Sequence, residues 1–310
     1  MEAKIRDDVC WIVGFVRGSF PGTNPVSITN QNLQFLNQND YYVSSKTDGE
    51  RKMIYCHKCE TYLIDRKFRV SKINNTIITT WGKTLLDAEE IEEEGKIIYL
   101  VFDAVMVNDW YIGNVNLNSR LYWANTILPQ NSKQILLKKM YGLKETFSVY
   151  HKKQNHKTDG LIFTNIYAPY RGGRCESLLK YKEISQNTID FKAIAKDGKV
   201  ELYIGVLGQP TKFVGHLDMG VETFLQQYSC GDIIECQFLS DTLYKPLKKR
   251  SDKDLPNDIK VYKSVLQSIK EGITMNDVLR QCNKPKRDYP IPIKPIQLEY
   301  DPLGSLFPDD

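Results

Sequence analysis

The stretch from Tyr41 to Tyr55, YYVSSKTDGERKMIY, carries charged side chains inside an otherwise strand-like sequence. Asp48 and Gly49 form a turn signal between apolar-rich runs, so the sequence predicts a hairpin here. Turn geometry accounts for the glycine but not for Lys46 or Arg51. A charged residue beside a turn is usually just solvated. Whether Lys46 and Arg51 take part in a reaction must therefore be judged from the other charged residues of the chain.

Further cations occur where strand patterns place apolar side chains. In TYLIDRKFRV, alternation along one strand puts Arg66 on the apolar face, where an unpaired arginine is costly. In SLLKYK, Lys180 and Lys182 point to the same side of one strand and repel each other. A salt bridge could satisfy any one of these cations. A common polyanionic ligand accounts for all of them together, because lysine and arginine are the side chains that bind phosphate.

The phosphate sites that depend on glycine-rich loops are excluded. The sequence contains neither GxxxxGK[ST] nor a GxGxxG that opens a helix. We therefore expect side chains from several strands to hold the phosphates.

Length and composition are those of an ordinary globular protein. The chain has 310 residues, of which 41% are apolar and 26% charged, enough for two cores. It has no apolar run of about 18 residues and no secretory signal, so we expect an intracellular protein without a membrane partner. The seven scattered cysteines predict reduced thiols, and we interpret the CxxC of Cys56 and Cys59 as a hairpin tip.

The elements that must position the cations are mainly strands in the first part of the chain. KIIYLVFDAVMV is almost continuously apolar, which predicts a central strand covered on both faces. Helical patterns cover residues 118–127 and 132–140. These features indicate a mixed α+β unit built on antiparallel strands.

The sequence changes character near Ile189. Asp197 and Gly198 predict a hairpin, and the evenly spaced short strands after it are typical of a small barrel. TMND at 274–277 resembles a capping box that opens a helix. We therefore predict two domains, 1–188 and 189–310, the second with C-terminal helices and an extended proline-rich tail.

Several of these segments together resemble the covalent nucleotidyltransferase superfamily, which contains mRNA capping guanylyltransferases and polynucleotide ligases. KTDGER at 46–51 matches the KxDGxR nucleophile motif, and LLDAEE resembles LDGE with Ala88 in place of glycine. The DR of YLIDRKFRV, then YLVFDAVMV, DGLIF, LLKYK and RSDKDLPN stand in the family's order. FPGTNPVS, NTIDF and the PN after RSDK favour a capping enzyme over a ligase.

The resemblance implies a fold and a reaction. The fold is a nucleotidyltransferase domain of antiparallel sheets with flanking helices, followed by an OB-fold β-barrel. In the reaction, Lys46 attacks the α-phosphate of GTP, releases pyrophosphate and carries GMP as a phosphoramidate. The GMP then passes to the 5′-diphosphate end of an RNA and forms a GpppN cap. Because a free lysine is mostly protonated, neighbouring cations and desolvation must lower its pKa.

The resemblance also implies the residues of the site. Phe102 is expected to stack on guanine, although core packing would account for it almost as well. Asp159 and Glu89 are the carboxylates expected to bind Mg²⁺ or Mn²⁺. The implied catalytic residues are Lys46, Arg51, Asp159, Lys180, Lys182, Arg250, Asp252 and Lys253, and the nucleotide-binding residues are Lys46, Thr47, Arg51, Arg66, Glu89, Phe102, Lys180 and Lys182.

The segment KPLKKRSDK by itself resembles a solvated basic loop. The family resemblance implies instead that its Arg250, Asp252 and Lys253 swing onto the triphosphate when the barrel closes over the nucleotide.

Other functions and the partners are expectations of the same kind. The rival functions are an ATP-dependent RNA or DNA ligase, a catalytically inactive OB-fold RNA-binding protein and a scaffold for another capping component. The expected partners are GTP, 5′-diphosphate RNA, a separate RNA triphosphatase, a separate cap methyltransferase and RNA polymerase. The expected location is the nucleus, or the cytoplasm if the enzyme is viral.

Overall fold

The computed structural model describes residues 2–15, 20–73, 78, 80–206 and 208–285. The predicted extended tail, from Asp288 onward, lies outside the described residues. No helix in these ranges is both long enough and apolar enough to cross a membrane.

Two series of elements follow one another along the chain. The first runs α1 (Glu2–Val13), β1 (Thr23–Ser27), α2 (Phe35–Gln38), β2 (Tyr41–Thr47), β3 (Glu50–His57), β4 (Glu60–Ile64), β5 (Val70–Ile73), β6 (Thr84–Glu93), β7 (Lys96–Val107), β8 (Trp110–Tyr111), α3 (Leu117–Ile127), β9 (Ile135–Leu137), β10 (Tyr141–Gly142), α4 (Thr146–His151), β11 (Thr158–Asn165) and β12 (Gly173–Tyr181). The second runs β13 (Thr188–Lys196), β14 (Lys199–Val206), β15 (Gln209–Leu217), α5 (Val221–Gln227), β16 (Ile233–Ser240), β17 (Leu243–Lys249), α6 (Ile259–Glu271) and α7 (Met275–Cys282).

The first series of elements forms two sheets. One sheet has the order β1-β12-β11-β2-β10, and the other has the order β5-β4-β3-β6-β7-β8 with β9 paired to β7. The predicted central strand is β7, and its side chains alternate between two apolar cores, with Ala104 in one and Val105 in the other. The strand is therefore covered on both faces, as predicted.

The predicted hairpin at Asp48 and Gly49 is wrong. β2 pairs with β11 and β10, whereas β3 pairs with β4 and β6, so the two strands belong to different sheets. Gly49 is where the chain crosses between the sheets, and an added Cβ there would approach the Glu90 carbonyl oxygen to 2.3 Å. Long-range strand partners thus replaced the local pairing that a turn signal predicts. As a result, the end of β2 and the start of β3 face one cleft.

Two further predictions from periodicity are wrong. The strand through Arg66 ends at Ile64, and residues 65–69 form a turn in which the Phe68 amide donates to the Asp65 carbonyl. Arg66 is therefore exposed at a turn and is not part of an apolar strand face. The helix predicted over 132–140 is absent, because the short strand β9 extends the sheet beside β7. Helix α3, in contrast, matches its prediction.

The second series of elements closes a barrel in the order β13-β14-β15-β17-β16. Asp197 and Gly198 make its first turn with positive φ angles, as the hairpin prediction requires. The predicted fold class, sheets with flanking helices followed by an OB-type barrel, is confirmed. The sheets are mixed rather than purely antiparallel, because β1 pairs with β12 and β9 pairs with β7 in parallel. The predicted hairpin tip at Cys59 is confirmed too, since β3 pairs with β4 around it.

The final helix returns to the first sheet. Thr274 and Asp277 form the predicted capping box at the start of α7. Val278 and Cys282 of this helix pack in one core with Val43 of β2 and Phe163 of β11. The C-terminal part of the chain therefore connects the barrel to the sheet whose strand β2 carries Lys46.

Candidate active site

A cavity opens between the two sheets where the chain crosses from β2 to β3. The structure brings together there six of the predicted residues, although they are far apart in the sequence. They are Lys46, Thr47, Arg51, Arg66, Glu89 and Phe102.

Lys46 stands at the end of β2 and shares a carboxylate with a second lysine. Its Nζ donates to Asp159 Oδ1 at 2.6 Å, and Lys182 Nζ lies 2.5 Å from Asp159 Oδ2. Burial and the nearby Lys182 ammonium lower the pKa of Lys46, while Asp159 opposes that shift. The neutral amine, which is the nucleophilic form, is therefore more populated than in a free lysine.

Lys180 of β12 lies beside this group and is half-buried. Burial, followed by the charges of Lys182 and Lys46, lowers its pKa to about 7. Several cations thus converge on one region with Asp159 as the shared anion. Such an arrangement favours binding of a further anionic ligand, because each cation raises the free energy of the charged forms of its neighbours.

Arg51 is held by a buried network. Its guanidinium pairs with both carboxylate oxygens of Asp87 and donates to the Thr23 carbonyl. The hydroxyl of Tyr170 donates to Asp87 at 2.5 Å. Arg51 also lies 5.3 Å from the centre of the Phe102 ring. The sequence analysis missed both partners, although Asp87 lies inside the LLDAEE motif; no sequence signal pointed to Tyr170.

We expect Asp87→Asn to destabilise the protein by about 3 kcal/mol or more. The substitution is nearly isosteric but leaves the buried Arg51 charge without its counter-ion, and breaking a buried pair typically costs about 3–5 kcal/mol. Urea unfolding of the whole chain measures the change. Glu60→Gln, which removes the exposed ion pair with Lys72, is the control and should leave the free energy of unfolding unchanged. If Asp87→Asn changed the free energy of unfolding as little as Glu60→Gln does, the role of Asp87 would be contradicted.

Phe102 and Lys138 form another side of the cavity. The Phe102 ring is only half-buried and faces the cavity, and Lys138 Nζ lies 5.9 Å from its centre. Burial lowers the pKa of Lys138 to about 8, with Glu89 opposing the shift. The sequence analysis missed Lys138 because it predicted a helix there. Thr47 adds a buried hydroxyl for which the described residues provide no hydrogen-bond partner.

Arg66 and Glu89 complete the charged lining of the cavity. Among the described residues, none makes a hydrogen bond or an ion pair with Arg66, so its guanidinium is available to a ligand. Burial raises the pKa of Glu89, while the Arg66 charge acts in the opposite direction. A free guanidinium at the mouth of a basic cavity is suited to bind phosphate or ribose oxygens.

The RSDK segment follows β17 and is folded around Asp190 of β13. Arg250 Nη1 donates to the two Asp190 oxygens at 2.9 and 3.0 Å, and Lys253 Nζ pairs with the same carboxylate. Asp252 accepts from Arg250 at 2.7 Å. Burial lowers the pKa of Lys253, and the nearby Arg66 charge contributes to the shift. Lys67 Nζ lies 2.7 Å from Asp254, the residue after Lys253, so the segment lies next to the turn that carries Arg66. The sequence analysis quoted NTIDF but missed Asp190 within it.

The predicted metal ligands do not form a metal site by themselves. The described residues contain no cluster of three or more His, Cys, Asp or Glu side chains suited to a metal. Both carboxylate oxygens of Asp159 contact lysine ammonium groups. Glu89, the other predicted metal ligand, lines the cavity and makes no such ion pair with a lysine among the described residues.

The two sheets around the cleft lysine and the barrel with its RSDK segment match two known domain families in chain order. Residues 1–184 match the catalytic domain of mRNA capping enzymes, and residues 178–279 match the C-terminal domain of mRNA capping enzymes. The chain belongs to the mRNA capping enzyme family, which confirms the resemblance seen in the sequence.

Relatives carry the same description. An mRNA-capping enzyme of Danio rerio is 31% identical over 303 residues, which cover 85% of this chain and 49% of that protein. An mRNA-capping enzyme subunit alpha of Schizosaccharomyces pombe is 30% identical over 334 residues, with 89% and 83% covered. The chain thus spans about half the length of the Danio rerio protein. Among solved structures, a mycobacterial DNA ligase D complexed with ATP and MES gives a TM-score of 0.47 at 13% identity, covering 75% of this chain and 95% of that one.

Proposed function

We propose that this chain is an mRNA guanylyltransferase that forms a covalent lysyl-GMP intermediate from GTP and transfers the GMP to the 5′-diphosphate end of RNA. The observation that carries the proposal is Lys46, partly desolvated at the cleft and hydrogen-bonded to Asp159 beside Lys182. Membership of the capping enzyme family supports it.

The first step is attack of neutral Lys46 Nζ on the α-phosphorus of GTP. The N–P bond forms as the bond to the bridging oxygen breaks, and pyrophosphate leaves with the bonding electrons. The nitrogen loses a proton, for which Asp159 at 2.6 Å is the nearest acceptor. Lys180 and Lys182 stabilise the charge on the phosphate, and Arg250 and Lys253 orient the leaving pyrophosphate.

The second step is attack of a terminal phosphate oxygen of the RNA on the same phosphorus. The N–P bond breaks, and the nitrogen takes a proton so that Lys46 leaves as an amine. Because the cations around it favour the neutral amine, they also favour its departure. One site thus serves both steps.

The base lies, in this proposal, between Phe102 and Lys138. An ammonium can only donate hydrogen bonds, and guanine presents two acceptors, O6 and N7, where adenine presents a donor at N6. Lys138 therefore favours guanine over adenine. The Thr47 hydroxyl, which has no partner among the described residues, supplies a further contact with the nucleotide.

We expect Lys138→Met to raise the KM for GTP by about tenfold or more and to narrow the preference for GTP over ATP, since a good base contact contributes about 1–3 kcal/mol of discrimination. The rate of adduct formation at varied GTP and ATP concentrations measures both effects. Lys139→Met is the matched control, because the neighbouring Lys139 is exposed and does not line the cavity. An unchanged ratio of GTP to ATP use in Lys138→Met would refute the assignment.

Partners and location follow from the family. The relatives compared above come from eukaryotes, so we propose a nuclear enzyme whose RNA substrate is supplied by an RNA triphosphatase and whose capped product is consumed by a cap methyltransferase. RNA polymerase is a further proposed partner. We also propose residues 1–188 as the nucleotidyltransferase domain and 189–310 as the OB-fold domain with its C-terminal helices and tail.

Incubation with α-³²P-labelled GTP or ATP and Mg²⁺, followed by a denaturing gel, tests the function. Label from GTP alone that is chased onto 5′-diphosphate RNA is the expected result. Label from ATP would instead indicate a ligase. Absence of label from both nucleotides would favour an RNA-binding protein without catalysis.

A further inference from the structure

A row of aromatic rings crosses the outer face of the barrel on β14 and β15. Tyr203 lies directly opposite Phe213, with ring centres 6.1 Å apart, and His216 lies 5.1 Å beyond Phe213. Phe213 is 45% exposed. We call these three residues the aromatic ladder.

The aromatic ladder is not part of the barrel core. Along β14 the side chains of Val200, Leu202 and Ile204 are buried in that core, so the alternating Tyr203 points outward. Phe213 is exposed and Tyr203 and His216 are half-exposed on this face, so the three rings are accessible to a ligand.

The aromatic ladder adjoins the proposed active site. Lys192 of β13 lies opposite Tyr203 on the outer face. Asp190, two residues earlier on that face, holds Arg250 and Lys253 next to a turn that lines the cavity. From Asp190 to Phe213 the path crosses two strand spacings and two residues, which corresponds to about 12 Å. A chain leaving the cavity past Lys253 would therefore meet the rings after only a few units.

The charges around the aromatic ladder are mainly positive. Lys192 and Lys196 of β13 lie on the same outer face. Glu201 on this face accepts a hydrogen bond from the Tyr203 hydroxyl and lies 3.9 Å from Lys196. Asp190 on the same face pairs with Arg250 and Lys253, so both carboxylates are engaged locally. Flat rings among lysines are the combination with which OB-type barrels bind single-stranded nucleic acid, the rings stacking on bases and the lysines contacting phosphates.

We propose that the aromatic ladder binds the first unpaired bases of the acceptor RNA, immediately downstream of the 5′-diphosphate that enters the active site. This inference rests on the proposed guanylyltransferase function. The aromatic ladder raises the affinity for the acceptor RNA and takes no part in formation of the protein–GMP adduct.

The test compares acceptors of two lengths in the transfer step. For Phe213→Ala, and more strongly for Phe213→Ala combined with Tyr203→Ala, we expect the KM for a diphosphate-ended 12-nucleotide RNA to rise about tenfold or more. Adduct formation from GTP and transfer to a diphosphate-ended dinucleotide should be unchanged. Phe213→Trp, which keeps a stacking surface, should retain the wild-type KM, whereas Phe213→Leu should not.

Phe147→Ala is the matched control, because it removes another exposed ring, on α4, outside the barrel. A KM for the 12-nucleotide RNA that is unchanged in the double variant, or raised equally for the dinucleotide, would overturn the inference. Fluorescence anisotropy of a labelled 12-nucleotide RNA, without nucleotide present, separates this inference from the proposed function. Binding that depends on Phe213 supports the aromatic ladder even if wild-type protein forms no adduct, and binding independent of Phe213 overturns it even if the adduct forms.

Discussion

Lys46→Arg abolishes the protein–GMP adduct, with a loss of about a thousandfold or more in its rate of formation. Arginine keeps the positive charge beside Asp159, so the ion pair and the cleft are preserved. It cannot act as the nucleophile, however, because its guanidinium stays protonated in proteins. The retained label after incubation with α-³²P GTP and denaturation measures the effect.

Two controls make this result specific. Lys52→Arg alters a lysine that pairs with Glu50 outside the cavity, and it should form the adduct normally. Lys180 is the rival nucleophile, because its pKa of about 7 also provides neutral amine. Label retained by Lys46→Arg but lost from Lys180→Arg would transfer the covalent role to Lys180.

The pH profile of the wild-type protein belongs to the same prediction. A lowered pKa means that Lys46 releases its proton at a lower pH than a free lysine with a pKa of 10.5. Adduct formation should therefore rise with pH and level off below that value. A rate that continues to rise to the pKa of free lysine would contradict the desolvated environment.

Lys253→Ala impairs adduct formation by about a hundredfold and spares transfer from a preformed adduct. The reason is that an ammonium directed at the leaving pyrophosphate acts only while pyrophosphate leaves, and losing one such charge contact costs about 10²–10³ in rate. Asp190 keeps its pair with Arg250 in the variant, so the segment remains anchored. Single-turnover measurements of the two steps, each started separately, give the two rates.

Lys249→Ala is the control for this variant. Lys249 ends β17 only a few residues away, but its ammonium pairs with Asp232 at the surface. Its removal should leave both steps unchanged. An equal loss of both steps in Lys253→Ala would mean that the residue supports the site as a whole rather than the departure of pyrophosphate.

Local sequence determined the elements whose signals involve neighbouring residues. The capping box of Thr274 and Asp277, the turn at Asp197 and Gly198 and the apolar run of β7 each depend on contacts within a few residues or on burial of one strand. Ordered motifs likewise identified the family and six of the residues that line the cavity. These features were readable because the interactions that fix them are encoded close together in the chain.

Only the tertiary structure decided how the charged groups meet. The pattern around Gly49 predicts a hairpin, yet separate long-range partners draw β2 and β3 into different sheets, and this separation creates the cleft. Lys138 reaches the cavity because β9 adds to the sheet in place of a helix. Tyr170 donates to Asp87, the partner of Arg51, from a distant part of the sequence. Asp190 likewise accepts from Arg250 of the RSDK segment, which is far from it in the sequence. The sequence by itself determined which chemical groups this protein has and the family to which it belongs, whereas only folding set the burial and mutual distances that give those groups their pKa values.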